Sequence, residues 1–396
     1  MKPEILRRTW AEIDLDALGE NYRTVRRSMA AGAKLCCVVK ADGYGHGAVM
    51  IAQTLAELGA DFFGVSNLEE ALQLRKSGIQ VPILILGYTP VDYVEVLAKQ
   101  RIAQCVYAKD YARLLSGEAR KRKVCISCHL KIDTGMSRLG LSPTEEIQEI
   151  LTICRLPGLD FQGLFTHFAV SDEGEKGRDF TLNQYASFQE LRRSLENHGK
   201  TFEICHCANS GGILDYPQTH CDMVRGGIIL YGLYPSDQIR HRPPLKPVMS
   251  LKSVVSQVKE IRKGDSVSYG RIFTAEKSMK IAAVPIGYAD GYPRILGEQA
   301  AQVLVGGKRC RITGRVCMDQ TLVDVSELPR VKIGDELTLI GREGEQQVTA
   351  DELAAYARSI NYELVCDIGK RVPRVYLRGG KAVSALNLYG EFLSNA

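Results

Sequence analysis

The chain has 396 residues, of which 45% are apolar and 24% are charged, and its formal net charge is +5. This length favours one large domain with a smaller one, and the composition is typical of a globular protein. The weak net charge argues against a nucleic-acid partner, and no apolar run approaches the ~20 residues that cross a bilayer. Because no export signal precedes the first motif, we expect a cytoplasmic protein whose twelve cysteines are free thiols.

The opening segment RRTWAEIDL alternates between polar and apolar side chains, which predicts a β-strand. It stands before the first repeat of the following domain. We therefore predict that residues 1–12 associate with the second domain of the chain.

Between residues 34 and 232, short apolar runs alternate with amphipathic helical stretches. Eight runs are candidate strands: KLCCVVKA, FFGVSN, PILILG, AQCVYA, CISCHLKID, GLFTHF, EICHCANS and MVRGGIILYG. Strand and helix recur with a spacing of roughly 25 residues, which is typical of a (β/α)8 barrel. An open doubly wound sheet is the competing architecture. We predict an α/β protein with an N-terminal (β/α)8 TIM-like barrel over residues 13–240.

The segment YPSDQIRHRPPLKP, residues 234–247, contains four prolines and interrupts the alternation. Such a segment predicts a domain boundary. Beyond it, short strands and tight turns dominate, with one helical segment, TADELAAYARS. A C-terminal, mainly β domain is therefore predicted over residues 241–396.

Polar side chains stand at the carboxyl ends of the predicted barrel strands, where barrels place their active sites. No carboxylate pair and no cluster of metal ligands stands out among them, so we expect a cationic, hydrogen-bonding site without a metal. The polar residues at these ends are Lys40, Tyr44, Lys131, Asp133, Arg138, His167, Asn209, Ser210 and Arg225.

Lys40 ends the first apolar run and is followed by the glycine-rich GYGHG. Its stem either carries the ammonium out to water or presents a nucleophilic amine. In the second case, desolvation or a nearby cation such as Arg225 would lower the pKa of the amine. An aldehyde cofactor with a phosphate suits such an amine, since RGGI lies where barrels bind phosphate. GYGHG lacks the GxGxxG spacing of dinucleotide folds, and CISCH lies in an alternating strand, which argues against haem attachment.

The motif VVKADGYGHG resembles the cofactor-lysine motif of alanine racemases, the fold-type III enzymes that use pyridoxal 5'-phosphate (PLP) to interconvert L- and D-alanine. The resemblance continues in family order through LKIDTGMSRLG, THFA, ANSGG, VRGGIILYG, VSYG, PIGYADGYPR, GRVCMDQ and INYE. It implies a homodimeric, PLP-dependent racemase that supplies D-alanine for peptidoglycan.

The resemblance also implies roles for individual residues. Lys40 and Tyr269 would be the catalytic bases, for D- and L-alanine respectively, and Arg138 and Met318 would bind the substrate. Tyr269 and Met318 would come from the partner subunit. Cofactor-binding roles fall on Lys40, Tyr44, His167, Asn209, Ser210, Arg225, Gly227, Ile228 and Tyr362, with Arg225 facing the pyridine nitrogen and held by His167. Supporting roles fall on Lys131, Cys317 and Asp319, and substrate entry on Asp172, Tyr288, Arg294 and Arg315. Whether Lys131 is carbamylated, as in some members, stays open.

Three alternatives remain beside this interpretation. A serine/alanine racemase of relaxed specificity is disfavoured because Tyr362 is retained. A non-catalytic PLP-binding protein would lack the second domain that carries Tyr269 and Met318. A barrel-type decarboxylase would place a carboxylate where we expect Arg225. Finally, the cysteines of ICHCANS are predicted to pack in the core and not to bind a metal.

Overall fold

The computed structural model describes residues 7–144 and 147–387. Within these ranges the residues form two compact units. The first, which we call the barrel unit, comprises Gly19–Gly43 and Ala48–Leu245. The second, the β unit, comprises the chain up to Leu18, the short segment Tyr44–Gly47 and the chain from Lys246 onward. The domain limits proposed from the sequence stay predictions.

The first described strand, β1 (Thr9–Asp14), belongs to the β unit. It pairs antiparallel with residues 249–253 and parallel with residues 374–377. The alternating segment RRTWAEIDL thus contributes a strand to a sheet whose other members lie more than 200 residues further along the chain, as Thr9 paired with Ser253 shows.

The barrel unit contains eight described parallel strands, hydrogen-bonded in the order β8-β7-β6-β5-β4-β3-β2-β9. Between β8 and β9, the amide of Asp222 donates to the Cys205 carbonyl (3.0 Å) and the amide of Arg225 to the Ala208 carbonyl (2.9 Å), which nearly closes the barrel. The predicted barrel is confirmed. Its strands are β2 (Lys34–Val38), β3 (Phe62–Val65), β4 (Ile83–Ile85), β5 (Ile102–Val106), β6 (Ile126–Lys131), β7 (Leu159–Phe165), β8 (Ile204–His206) and β9 (Met223–Gly226).

Helices alternate with these strands for ordinary local reasons. In Leu68–Lys76, for example, the Asn67 side chain accepts from the Glu70 amide (3.0 Å) and caps the amino end. Leu68, Ala71 and Leu74 recur at helical spacing and are buried. The helices up to residue 245 are Leu15–Ser28, Ala48–Glu57, Leu68–Lys76, Val94–Lys99, Lys109–Arg122, Ile147–Cys154, Arg178–Asn197 and Ser210–Asp215, with 3-10 turns at Val91–Tyr93, Pro217–Thr219 and Ile228–Tyr231.

The eighth predicted strand, MVRGGIILYG, is wrong in its second half. Strand β9 stops at Gly226, and Ile228–Tyr231 forms a 3-10 turn. Gly227 between them has φ −109° and ψ −110°, outside the strand region, so the chain turns there. This turn begins at the carboxyl end of the barrel, where the predicted site lies.

The β unit is mainly β, as predicted. Its largest described sheet has the order β16-β15-β18-β10-β1-β20-β21 with β19 beside β18, and smaller sheets are β11-β14-β17 and β12-β13. The strands are β10 (Met249–Val254), β11 (Gln257–Ile261), β12 (Ser266–Val267), β13 (Phe273–Thr274), β14 (Met279–Val284), β15 (Gln302–Val305), β16 (Lys308–Arg311), β17 (Thr321–Asp324), β18 (Glu336–Glu343), β19 (Gln346–Val348), β20 (Arg374–Arg378) and β21 (Lys381–Leu386).

Helical segments of the β unit exceed the one predicted. The predicted TADELAAYARS forms the helix Ala350–Ala357, and the described residues add short helices at Ile295–Glu298 and Asn361–Asp367 and 3-10 turns at Tyr269–Arg271 and Tyr288–Asp290. The additional helices are four and seven residues long, too short to show a helical period in the sequence.

Candidate active site

A tight turn after β2 positions Lys40. Ala41, Asp42 and Gly43 all adopt left-handed backbone conformations, with φ between 53° and 62°. The Gly43 amide donates to the Val39 carbonyl (2.9 Å), and the Asp42 carboxylate accepts from the Ala48 amide (2.9 Å). Left-handed conformation is unfavourable for residues with a Cβ and is concentrated at functional sites. The backbone that follows Lys40 is therefore strained, and this strained turn fixes the lysine at the end of the strand.

Four cations act electrostatically on His167 in the barrel unit. Burial lowers the pKa of His167 well below its ordinary value, and the charges of Arg225, Lys131, Arg138 and Lys40 lower it further, in that order. The imidazole is therefore neutral at physiological pH. The structure thus brings together five residues that the sequence analysis singled out, from the ends of β2, β6, β7 and β9.

Lys131 is the most enclosed of the predicted supporting residues. Its side chain is 5% exposed, and its ammonium lies 5.0 Å from the centroid of the Phe165 ring. Burial lowers the pKa of Lys131 to about 8, and the nearby positive charges of Arg225 and Arg138 act in the same direction. A substantial fraction of this amine is neutral near pH 8.

Arg225 is buried and makes its hydrogen bonds to neutral acceptors. Nη1 donates to Nδ1 of His206 (2.9 Å) and to the His206 carbonyl (3.2 Å). Nη2 donates to the carbonyls of Thr166 and Cys207 (both 2.9 Å) and to Nδ1 of His167 (3.1 Å). Among the described residues, its Nε–H has no hydrogen-bond partner. Burial lowers the pKa of Arg225, but a guanidinium stays charged in proteins.

The contacts of Arg225 determine the tautomers of two histidines. A guanidinium has donors only, so Nδ1 of both His167 and His206 must accept, and each neutral ring carries its proton on Nε2. His206 also stacks on Phe165, with ring centroids 4.6 Å apart. Sequence reasoning missed His206 and predicted only that the cysteines on either side of it pack in the core. Its signal was its position at the end of β8, next to the strand that carries Arg225.

Asn209, Ser210 and Gly227 form a connected polar group at the ends of β8 and β9. The Asn209 side chain accepts from the Gly212 amide (3.0 Å) and caps the helix Ser210–Asp215. The Ser210 hydroxyl accepts from the Gly227 amide (3.1 Å), which ties the two loops together. Ile228 follows and is buried. All four residues are predicted to bind the cofactor.

Tyr44 and Tyr362, two further predicted cofactor-binding residues, lie together in the β unit. Their ring centroids are 6.0 Å apart. Gly45 permits this approach, because a Cβ at that position would lie 2.1 Å from the Val365 carbonyl oxygen on the helix Asn361–Asp367. Its φ of 79° also requires glycine.

Tyr269 and Met318, which are predicted to come from the partner subunit, are exposed in the β unit. Tyr269 is 66% exposed and Met318 is 53% exposed. Ser268 precedes the tyrosine with φ 66° and ψ −175°, a region that residues other than glycine rarely adopt, and its hydroxyl lies 3.4 Å from the Cys317 sulfur. The Tyr288 amide donates to the Cys317 carbonyl (3.1 Å). Tyr269, Tyr288, Cys317 and Met318 are therefore brought together at the surface of this unit.

Acidic partners hold the predicted cations of the β unit. Arg315 donates to Glu298 (2.9 Å), and Arg294 approaches the same carboxylate (3.4 Å). Arg371 donates to Asp319 (2.7 Å). Two of the predicted entry residues thus share one carboxylate.

Asp172, the remaining predicted entry residue, lies in the barrel unit, where the Ser236 hydroxyl donates to its backbone carbonyl. Burial raises the pKa of its carboxyl group, and the charge of Glu173 raises it further. This carboxyl is therefore easier to protonate than an ordinary aspartate.

The barrel unit fits the cofactor that the resemblance implies. The Nε–H of Arg225 is the remaining donor of a buried cation, and a pyridine nitrogen is an acceptor. Lys40 stands at a strand end among cations that suit an anionic ligand. The linked Ser210 hydroxyl and Gly227 amide lie at the start of the last βα unit, where barrels bind phosphate.

Metal binding finds no such support. In the ranges 7–144 and 147–387, no three His, Cys, Asp or Glu side chains are grouped to hold a metal ion. None of the twelve cysteines, all of which lie in the described ranges, forms a disulfide bond. Across the same part of the chain, every helix is too short or too polar to cross a bilayer.

Comparison with known proteins adds a second line of evidence. The family descriptions "Alanine racemase, N-terminal domain" and "Alanine racemase, C-terminal domain" match residues 13–235 and 248–376. "Alanine racemase 1" of Clostridium acetobutylicum is 43% identical over 384 residues, which cover 96% of this chain and 98% of the relative. The alanine racemase of Desulforamulus reducens is 44% identical over 370 residues, 93% of this chain and 98% of the relative.

Solved structures agree with these relatives. An alanine racemase of Clostridium difficile 630 superimposes with a TM-score of 0.91 at 40% identity, covering 97% of this chain and 100% of that one. A histidine racemase from Leuconostoc mesenteroides also superimposes, with a TM-score of 0.85 at 31% identity, covering 95% of this chain and 99% of that one.

Proposed function

The chain belongs to the alanine racemase family and interconverts the enantiomers of alanine, and we propose that it does so with PLP held at Lys40. The observation that carries the cofactor assignment is the buried Arg225, hydrogen-bonded to His167, together with the positive charges of Lys40, Lys131 and Arg138 that also act on His167. When bound, PLP supplies an electron sink that makes the Cα proton of an amino acid removable.

Racemisation needs two proton-handling groups, because a proton leaves one face of Cα and another arrives on the opposite face. We assign the amine of Lys40 to one face and the phenol of Tyr269 to the other. A positioned acid or base contributes roughly 10²–10⁴-fold to rate. Since one group removes the proton that the other returns, loss of either slows both directions.

The cations of the barrel unit have distinct functions in this proposal. With the cofactor bound, Arg225 would donate through Nε to its ring nitrogen. Because a guanidinium has no acceptor and stays charged, it leaves that nitrogen unprotonated. Arg138 binds the substrate carboxylate, and Lys131 adds positive charge beside it.

The exposure of Tyr269 supports a homodimer. An acid or base that is 66% exposed is poorly suited to work in water, since catalytic groups act in sites from which water is excluded. We propose that Tyr269 and Met318 complete the site of a second copy, and that Tyr288, Arg294, Arg315 and Asp172 line the substrate entrance. Exposed apolar groups of this kind are typical of interfaces.

Alanine is the proposed substrate because the relatives named above carry that name and because Tyr362 is retained beside Tyr44. Because a histidine racemase has a similar fold, histidine must be compared as a substrate alongside serine. We also propose that the enzyme acts in the cytoplasm and that its D-alanine is used for peptidoglycan.

The test is exchange in D₂O. Each enantiomer of alanine, serine and histidine is incubated with the purified holoenzyme, and deuterium at Cα and loss of optical rotation are measured. We expect exchange with racemisation to be fastest for alanine. A higher kcat/KM for serine or histidine would reassign the substrate, and exchange of none of them would refute the function.

A further inference from the structure

A third buried histidine lies behind His206. His129, in β6, is 1% exposed, and its Nδ1 lies 2.9 Å from Nε2 of His206. Its own Nε2 has no hydrogen-bond partner among the described residues. Phe62 presents its ring to the imidazole, with centroids 6.1 Å apart. A buried polar atom without a partner is costly and needs an explanation.

The direction of this hydrogen-bond chain follows from Arg225. Because Arg225 can only donate, His206 accepts at Nδ1 and carries its proton on Nε2. That Nε2–H points to Nδ1 of His129, which must therefore accept. Burial, with the charge of Arg225 added, lowers the pKa of His129 to about 4 and that of His206 well below its ordinary value, so both rings are neutral.

The barrel provides space for His129 at two places. The register between β6 and β7 shifts between Cys128 and His129, as at a β-bulge. Opposite the ring stands Gly163, where a Cβ would lie 2.2 Å from Nδ1 of His129. Bulges and strand glycines re-aim side chains or allow close approach.

We propose that His129 is a positioning residue of the racemase: by accepting from His206, it holds the tautomer of His206 and, through it, the guanidinium of Arg225. The proposal rests on the function proposed above. Without His129 as acceptor, the Nε2–H of His206 loses its partner. If His206 then moves its proton to Nδ1, two donors face each other and Arg225 is displaced from the ring nitrogen it serves.

His129→Asn and His129→Leu form a matched pair, because both side chains have four heavy atoms and branch at Cγ. The amide oxygen of asparagine can accept where Nδ1 stood, whereas leucine cannot. For His129→Leu we expect kcat to fall roughly ten-fold with KM changed less than about two-fold, since a buried donor is left unpaired. His129→Asn should stay within about three-fold of the parent in kcat. His198→Leu, at an exposed position, is the control.

The direct readout is the tautomer of His206, measured by ¹⁵N NMR of histidine-labelled full-length protein with and without PLP. The parent and His129→Asn should show His206 protonated on Nε2 alone, and His129→Leu should show protonation on Nδ1 or exchange between the two. The absorbance of bound PLP should change in the leucine variant alone.

Gly163→Ala provides a second approach if the leucine variant fails to fold. The added methyl displaces the ring of His129 while all three histidines remain, so it should reproduce the tautomer change and the fall in kcat. Unchanged His206 tautomer and kcat in both variants would overturn the proposal. Failure of the parent to racemise would refute the proposed function instead, and the tautomer measurement would still decide the role of His129.

Discussion

The two units place their reactive groups in opposite environments. In the barrel unit, Lys131 and Arg225 are buried and held among carbonyls, rings and other cations. In the β unit, Tyr269 and Met318 stand in the open. A buried charge acts strongly because little water screens it, and the barrel can orient it in advance. An exposed phenol has no such setting within its own unit. The cations of the barrel unit are therefore already desolvated and oriented. Tyr269 of the β unit must be shielded from water before it can act as an acid or base.

The largest expected effect tests whether the exposed group works on a second copy. Lys40→Met and Tyr269→Phe should each lower kcat/KM by roughly 10²–10⁴-fold, because each removes one proton-handling group. If the two groups of one site come from different chains, mixed dimers of the two variants contain one intact site. After mixing and refolding, about one quarter of the parent activity should return.

This complementation experiment distinguishes a site shared between two chains from a site built by one chain. If both groups came from one chain, every site in the mixture would lack one group and activity would stay absent. Mixing Lys40→Met with itself provides the control. Borohydride reduction of the loaded parent, followed by peptide mapping, should label Lys40; a label elsewhere would contradict the cofactor assignment.

The next effect concerns the buried cation. Arg225→Glu removes the donor to the ring nitrogen and introduces a carboxylate that favours a protonated nitrogen. We expect kcat for racemisation to fall by about 10²-fold and transamination, measured as keto acid formed per racemisation, to rise. Arg113→Glu, at an exposed site, should change neither. A racemisation-to-transamination ratio equal to that of the parent would contradict the role given to Arg225.

The third prediction concerns how the β unit holds Tyr44. Gly45→Ala places a methyl against the Val365 carbonyl and strains a φ of 79°, so we expect roughly 3 kcal/mol or more of destabilisation. Gly59→Ala has a similar φ of 89° with open space around it and should cost only about 1 kcal/mol. Urea unfolding of both variants measures the difference. Equal losses would show that backbone strain alone matters.

The smallest effect is a pH dependence of stability from Lys131. Its folded pKa of about 8 lies below the ordinary value of 10.5, so the unfolded chain binds more protons between these values and stability rises with pH across that window. Lys131→Met should therefore be more stable than the parent at pH 7, by on the order of 3 kcal/mol. The advantage should disappear near pH 10.5.

Urea titrations at several pH values provide this measurement. A constant difference between Lys131→Met and the parent from pH 7 to pH 10.5 would mean that the amine is not titrating in that window. Lys121→Met, an exposed lysine, should show no such trend and serves as the matched control.

Much of the barrel was predictable because its strands are largely buried. All five residues of β5 are buried, for example, and a mostly apolar run between two helices is a recognisable sequence pattern. The ends of the strands then place Lys40, Lys131 and Arg225 on one side without further information. The 3-10 turn at Ile228–Tyr231 was not predicted, since its residues are as apolar as a strand and the turn depends on the backbone of Gly227.

The sequence by itself determined which segments are strands, which residues stand at their ends, and, through motifs in family order, the family. Only the tertiary structure decided which buried polar atoms meet. Arg225, His206 and His129 lie 19 and 77 residues apart in successive contacts, and they become neighbours because the strands curve into a nearly closed barrel. Periodicity reports that a side chain is buried. A hydrogen bond, in contrast, requires a donor and an acceptor on strands remote in the chain to lie within a few tenths of an ångström of about 2.9 Å.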